Sequence, residues 1–176
     1  MNTIIIAAFP LCGKTWCHDY SCTLDRTSLD LDSEKYRWKT IYVNFTPPSK
    51  IEDPDFPENY IQKIKDNIGK YDYIFISTDE GVLEAMDKEN MDYVLVYPER
   101  KLIEEWVGRC WIRKKKRGGL FETEELYTMW KAWIDCLEKR SKEHKTYRLK
   151  AGQHLANVIF KIEKDMEVKY ELNSDK

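Results

Sequence analysis

Residues Thr3 to Trp16 read TIIIAAFPLCGKTW, and the reading of this stretch decides the fold. Thr3–Ala8 is an apolar, β-branched run, the pattern of a strand covered on both faces. A short loop follows and ends Gly13-Lys14-Thr15, after which Lys14 to about Leu24 reads as a helix. Strand, loop and helix in that order are the context in which G-x-x-x-x-G-K-[ST] cradles phosphate. Ala8 stands where that pattern wants its first glycine. A methyl group is the smallest departure from glycine and is tolerated there while φ stays negative.

The chemistry assigns each residue a place. In such a loop the amides and the positive end of the helix surround a phosphate with donors. Pro10, Leu11, Cys12, Gly13, Lys14, Thr15 and Trp16 are therefore the candidate nucleotide-binding residues. Lys14 would bring a mobile charge to the β- and γ-phosphates of ATP, and the Thr15 hydroxyl would hold Mg²⁺. Gly13 is needed where backbone approaches phosphate.

Downstream, strand and helix patterns alternate. Thr27–Leu31, Tyr71–Ser77, Tyr93–Tyr97 and Thr146–Leu149 read as strands. Asn44–Asp55 holds three prolines and reads as a loop. Helical stripes are expected from Pro57, where Tyr60, Ile61, Ile64 and Ile68 share a face, and after Ser77, which with Glu80 fits a capping box. Others run through Leu102, Trp106 and Cys110, through Leu126, Met129, Trp130, Trp133 and Leu137, and through Leu155, Ile159 and Ile162. Such alternation predicts an α/β fold with a parallel sheet, whose ligands gather beyond the carboxyl ends of the strands.

The second strand leaves through SLDLDSEKY, Ser28–Tyr36. Asp30 and Asp32 are two apart and share a face if the strand continues. A phosphoryl acceptor needs a base or a metal-orienting carboxylate nearby, which assigns Asp32 to the acceptor hydroxyl and Asp30 to magnesium. The competing reading is that these residues only turn the chain.

An amino-terminal F-P-x-x-G-K-T loop followed by D-x-D-S resembles the small P-loop kinases: adenylate-kinase-like and nucleoside monophosphate kinases, shikimate and gluconate kinases, polynucleotide 5′-kinases. The resemblance also extends to small adenylate-kinase-like proteins often encoded by bacteriophages. It covers about Met1 to Ile162 and implies a P-loop NTPase three-layer sandwich. The five parallel strands would be ordered 2-3-1-4-5 under a helical lid at about 99–140. Residues 1–164 would form one domain and 165–176 a tail. In shikimate-type kinases one acid of D-x-D serves magnesium and one the substrate, which maps onto Asp30 and Asp32. Polynucleotide kinases use an aspartate with an arginine three residues later; here that position is Lys35, and the nearest arginine is Arg37. The resemblance further implies that Arg109 and Arg113 are lid arginines, with Lys116 and Arg117 as weaker candidates, and that Gly152 and Gln153 border adenine. The bare charge run Lys114–Lys116 reads instead as a solvated face.

Composition bounds the alternatives. A formal charge of -2 gives no overall field toward nucleic acid. No apolar stretch is long enough to span a bilayer, and no basic leader precedes the first strand, so a cytoplasmic, membrane-free protein is expected. The five cysteines lack C-x-x-C spacing, and reduced, buried thiols are expected, Cys12 being an exception in reactivity if its loop is positive. The expected activity is transfer of the γ-phosphoryl of Mg-ATP to a small acceptor, a nucleoside or nucleotide. A polynucleotide 5′-hydroxyl kinase and a non-catalytic nucleotide-binding protein are the alternatives, and the oligomeric state stays open.

Overall fold

The computed structural model describes residues 2–20, 25–42, 47–117 and 123–174. In chain order the strands are β1 (Ile4–Ala8), β2 (Ser28–Asp30), β3 (Trp38–Ile41), β4 (Ser49–Glu52), β5 (Tyr73–Ile76), β6 (Val94–Pro98) and β7 (Thr146–Leu149). The helices are α1 (Lys14–Asp19), α2 (Glu34–Arg37), α3 (Glu58–Lys65), α4 (Glu80–Lys88), α5 (Ile103–Arg117), α6 (Thr123–Arg140) and α7 (Ile159–Ser174). Short 3-10 turns at Arg100–Leu102 and Leu155–Asn157 lead into α5 and α7.

Five strands form one all-parallel sheet in the order β2-β5-β1-β6-β7. β1 lies at its centre, Ile6 facing Phe75 on one side and Val94 on the other. Every residue of β1, β5 and β6 is buried, which is why these strands read as unbroken apolar runs and not as alternating ones. Ile6, Ile74, Ile76 and Leu95 are fully buried, each contributing about 1.5–3 kcal/mol by leaving water. Helices flank this sheet, compatible with three layers.

The numbering of the sheet differs from the expected 2-3-1-4-5 because an antiparallel pair, β3-β4, intervenes. Among the sheet's own members the order runs second, third, first, fourth, fifth. The pair replaces part of the loop expected over Asn44–Asp55, whose residues 44–46 lie outside the described residues. All its side chains are exposed. Backbone pairing of Lys39 with Ile51 and Thr40 with Lys50 therefore shapes it, without a buried face to imprint a periodic pattern.

Other expectations shift at the edges. The second strand stops at Asp30, so Asp32 lies beyond it. Helix α1 ends at Asp19, and residues 21–24, Cys22 among them, lie outside the described residues. Helix α4 is capped by Asp79, whose Oδ1 accepts from the Val82 amide at 3.3 Å. Ser77, expected as that cap, instead accepts from the Asp79 amide at 3.1 Å. The segment after Asp165, expected as a frayed tail or an edge strand, continues α7 to Ser174. The expected lid at about 99–140 corresponds in sequence to α5 and α6, and residues 118–122 between them lie outside the described residues.

The two long helices do not stand apart from the core. Trp106, Cys110, Leu126, Trp130, Ile134 and Leu137 are buried, as the stripes require, whereas Met129 is 41% exposed. Phe9 packs edge-on against Trp130 at 5.6 Å and tilted against Trp133 at 4.6 Å, joining the loop after β1 to α6. Among the described residues no helix is long and apolar enough to cross a membrane.

Candidate functional site

The loop after β1 is held by its carbonyls. The Trp106 indole donates to the Pro10 carbonyl at 2.8 Å, Arg109 Nη1 to the Leu11 carbonyl at 3.3 Å, and the Leu155 amide to the Cys12 carbonyl at 2.8 Å. By contrast, the amides of Leu11, Gly13, Lys14, Thr15 and Trp16 have no acceptor among the described residues. With the oxygens drawn into the protein, the loop and the start of α1 present a cluster of unsatisfied donors, the arrangement that binds anions.

Two residues set that shape. Gly13 has φ +97° and Leu11 has φ 66°. A Cβ on Gly13 would meet only the His154 side chain, at 3.7 Å; glycine is required for its left-handed backbone, not for room. Ala8 has no such need, since it ends β1 fully buried and is not among the residues with positive φ.

Lys14 Nζ donates to the Ala8 carbonyl at 2.6 Å, which folds the side chain back over the loop. The residue is half-buried at the cavity. Desolvation pulls the Lys14 pKa below the ordinary lysine value; Asp30 and Asp32 act upward and Arg113 downward. The Thr15 hydroxyl donates to Asp30 Oδ2 at 2.9 Å, so the two residues expected at magnesium are neighbours. A hydroxyl and a carboxylate are hard oxygen donors, and Mg²⁺ takes few of them from protein, the rest from phosphate and water. The donor set fits.

Around this loop opens a cavity of about 870 Å³ lined by Lys14, Thr15, Asp30, Asp32, Arg109 and Arg113, among others. Asp32 is exposed, and its Oδ1 accepts from the Glu34 amide at 3.1 Å, so it also makes the turn that the competing reading gave it. The strand exit beneath is fixed by the buried Tyr60, whose hydroxyl donates to the Leu31 carbonyl at 2.8 Å.

The two arginines assigned to a lid differ. Arg109 is 13% exposed and donates to Leu11, to the Gln153 carbonyl at 2.7 Å and to Glu105 at 2.6 Å, lying 4.0 Å over the Trp106 ring. Three of its N–H donors are committed within the protein. Arg113, half-buried at the same cavity, has no hydrogen bond or ion pair among the described residues. Lys116 is exposed, and the Arg117 side chain lies outside the described residues.

Gly152 and Gln153 do not line the cavity; their neighbour His154 does. The Gly152 amide donates to both oxygens of Glu105 at 3.1 Å. Cys12 is likewise buried behind the loop, and burial pushes its thiol up to about 12 despite Lys14 and Arg109. Cys12 thus follows the general expectation of buried thiols and not the exception allowed for a positive loop.

Arg37 and Asp79 also line the cavity and form an ion pair joining the exits of β2 and β5. Arg37 lies 4.6 Å over Phe56. Sequence reasoning passed over Asp79, although it directly follows a strand and so meets the rule for ligand positions. No protein-family model matches the sequence, and no curated protein matches it.

Proposed function

We propose that this chain is a P-loop kinase that transfers the γ-phosphoryl group of Mg-ATP to a small acceptor, a nucleoside or nucleotide. The observation carrying this reading is the row of unsatisfied amides around Lys14, with Thr15 bonded to Asp30 beside it. Those donors and the Lys14 ammonium would hold the β- and γ-phosphates. Thr15 and Asp30 would hold Mg²⁺, which when bound supplies positive charge to the phosphate oxygens. Asp32 would orient the acceptor hydroxyl and accept its proton as the acceptor oxygen bonds to the γ-phosphorus and ADP departs. Arg113, without a partner among the described residues, would stabilise charge on the group in transfer. Arg109 would hold the loop in shape.

Lys14→Ala is expected to abolish ATP binding and turnover, read by calorimetry and ADP release. Unchanged ATP consumption by that variant would refute the site.

A second reading, a 5′-hydroxyl kinase acting on nucleic acid ends, is favoured by one observation. Lys115 lies 3.8 Å over the exposed Trp111 ring beside Lys116, a surface that could stack and pair with a strand. It predicts oligonucleotide binding that weakens steeply with added salt.

A further inference from the structure

The cavity is divided in character along the sheet. Beside β1 it offers Lys14, the free amides and Arg113. Beyond the ends of β2 and β5 it offers carboxylates: Asp32, Glu34, Asp79 and Glu80. Arg37 also lines this side, and its charge is taken by Asp79. Asp32, Glu34 and Glu80 have no ion pair among the described residues. Glu34 accepts from the Trp38 indole at 2.8 Å, and Glu80 accepts from the Cys136 thiol at 3.5 Å. Among the described residues no three acidic, histidine or cysteine side chains are grouped to hold a metal ion.

The opposite wall of this half is apolar. Met129, Ala132 and Trp133 come from α6 and Ile112 from α5. Trp133 is fixed in place, its indole donating to the Thr78 carbonyl at 3.0 Å while its ring packs on Phe9. A flat, weakly polar ring system suits such a wall, with hydrogen-bonding groups turned to the acidic rim. A phosphate suits it poorly. Its negative charges would face Asp32, Glu34 and Glu80, with Arg37 already paired to Asp79, and like charges repel.

From this arrangement we infer that the acceptor is an unphosphorylated alcohol carrying a planar ring, of the nucleoside class and neutral or cationic. Nucleoside monophosphates and the phosphodiester ends of nucleic acids are excluded by the charge of the acceptor half. The inference rests on the kinase reading above and narrows it.

The experiment uses the full chain with saturating Mg-ATP. Initial rates of ADP release are compared for a panel of ribo- and deoxyribonucleosides, their 5′-monophosphates and a 5′-hydroxyl oligodeoxynucleotide. Binding of the same acceptors is followed by thermal shift with a non-hydrolysable ATP analogue. The best nucleoside should exceed its monophosphate in kcat/KM by about tenfold or more, the scale of one uncompensated charge at a few ångströms. Glu80→Gln and Glu34→Gln should each narrow that ratio severalfold, whereas a purely structural role would lower both substrates alike. A monophosphate or the oligonucleotide as preferred acceptor overturns the inference. So does a preference that both variants leave unchanged, or failure of every nucleoside to bind or react while ATP still binds. Absence of ATP binding in the wild-type chain would instead remove the kinase reading itself.

Discussion

Replacing Arg109 with alanine tests whether this side chain braces the loop or acts on substrate. The guanidinium bridges three segments: the loop after β1 at Leu11, its own helix at Glu105 and the turn before α7 at Gln153. Alanine would leave the Leu11 and Gln153 carbonyls without this donor and remove the contact with the Trp106 ring. Charge-assisted hydrogen bonds are worth roughly 1.5–3 kcal/mol each, and a cation over an aromatic face about 0.5–1 kcal/mol. The neighbouring cavity lets water satisfy part of what is exposed, so the low end applies and the loss is about 3 kcal/mol. For a chain of this size that corresponds to a fall in Tm of roughly 6–12 °C. Thermal and urea unfolding of the ligand-free protein measure it directly. Arg109→Lys should recover part of the loss, since lysine keeps the charge but not the planar fork. An alanine variant melting within about 1 °C of the parent would refute the brace. Lost turnover at unchanged Tm would assign Arg109 to the substrate instead.

Three further outcomes are expected. Ala8→Gly, which restores the motif's first glycine, should lower stability by about 0.5–1 kcal/mol without strengthening nucleotide binding, because a buried strand residue gains nothing from extra freedom. Tighter ATP binding in that variant would show that the methyl group obstructs the loop. Cys12 and Cys17, whose thiols burial pushes up to about 12, should resist iodoacetamide at pH 8 in the folded protein and react once it is unfolded. Rapid native alkylation at either position, read by peptide mapping, would contradict their burial. The lowered pKa of Lys14 fixes a sign: its desolvated ammonium costs stability while folded and unfolded states are both protonated. That cost is relieved as pH rises through the lowered value toward the ordinary 10.5. ATP affinity should fall over the same window, with proton uptake on binding in calorimetry across buffers of different ionisation enthalpy. A pH-independent affinity there would dissociate Lys14 from the phosphates.

How much of this protein is written locally can be judged from particular residues. The stretch Ile4–Ala8 announces a central strand because burial on both faces removes polar residues from it, and no distant contact is needed to read that. Gly13-Lys14-Thr15 marks the loop for the same kind of reason, since the left-handed backbone at position 13 admits few residues besides glycine. Trp106, Cys110, Trp130 and Leu137 betray their helices through a period of about 3.6. The β3-β4 pair left no such mark, because a ribbon exposed on both faces is specified by backbone pairing and not by patterned side chains. Nor could local pattern separate Arg109 from Arg113. Four residues apart on one helix, they look equivalent, yet only the packing of three segments commits the donors of one and leaves the other without a partner among the described residues. The Arg37–Asp79 pair, 42 positions apart in the chain, arises where parallel pairing brings the ends of β2 and β5 together. The sequence alone settled which segments bury themselves and where the backbone turns left-handed after β1, since those depend on short-range sterics and hydrophobic period. Tertiary structure alone decided which charges are spent on one another and which stay available, because electrostatic partnership depends on distance in space and not along the chain.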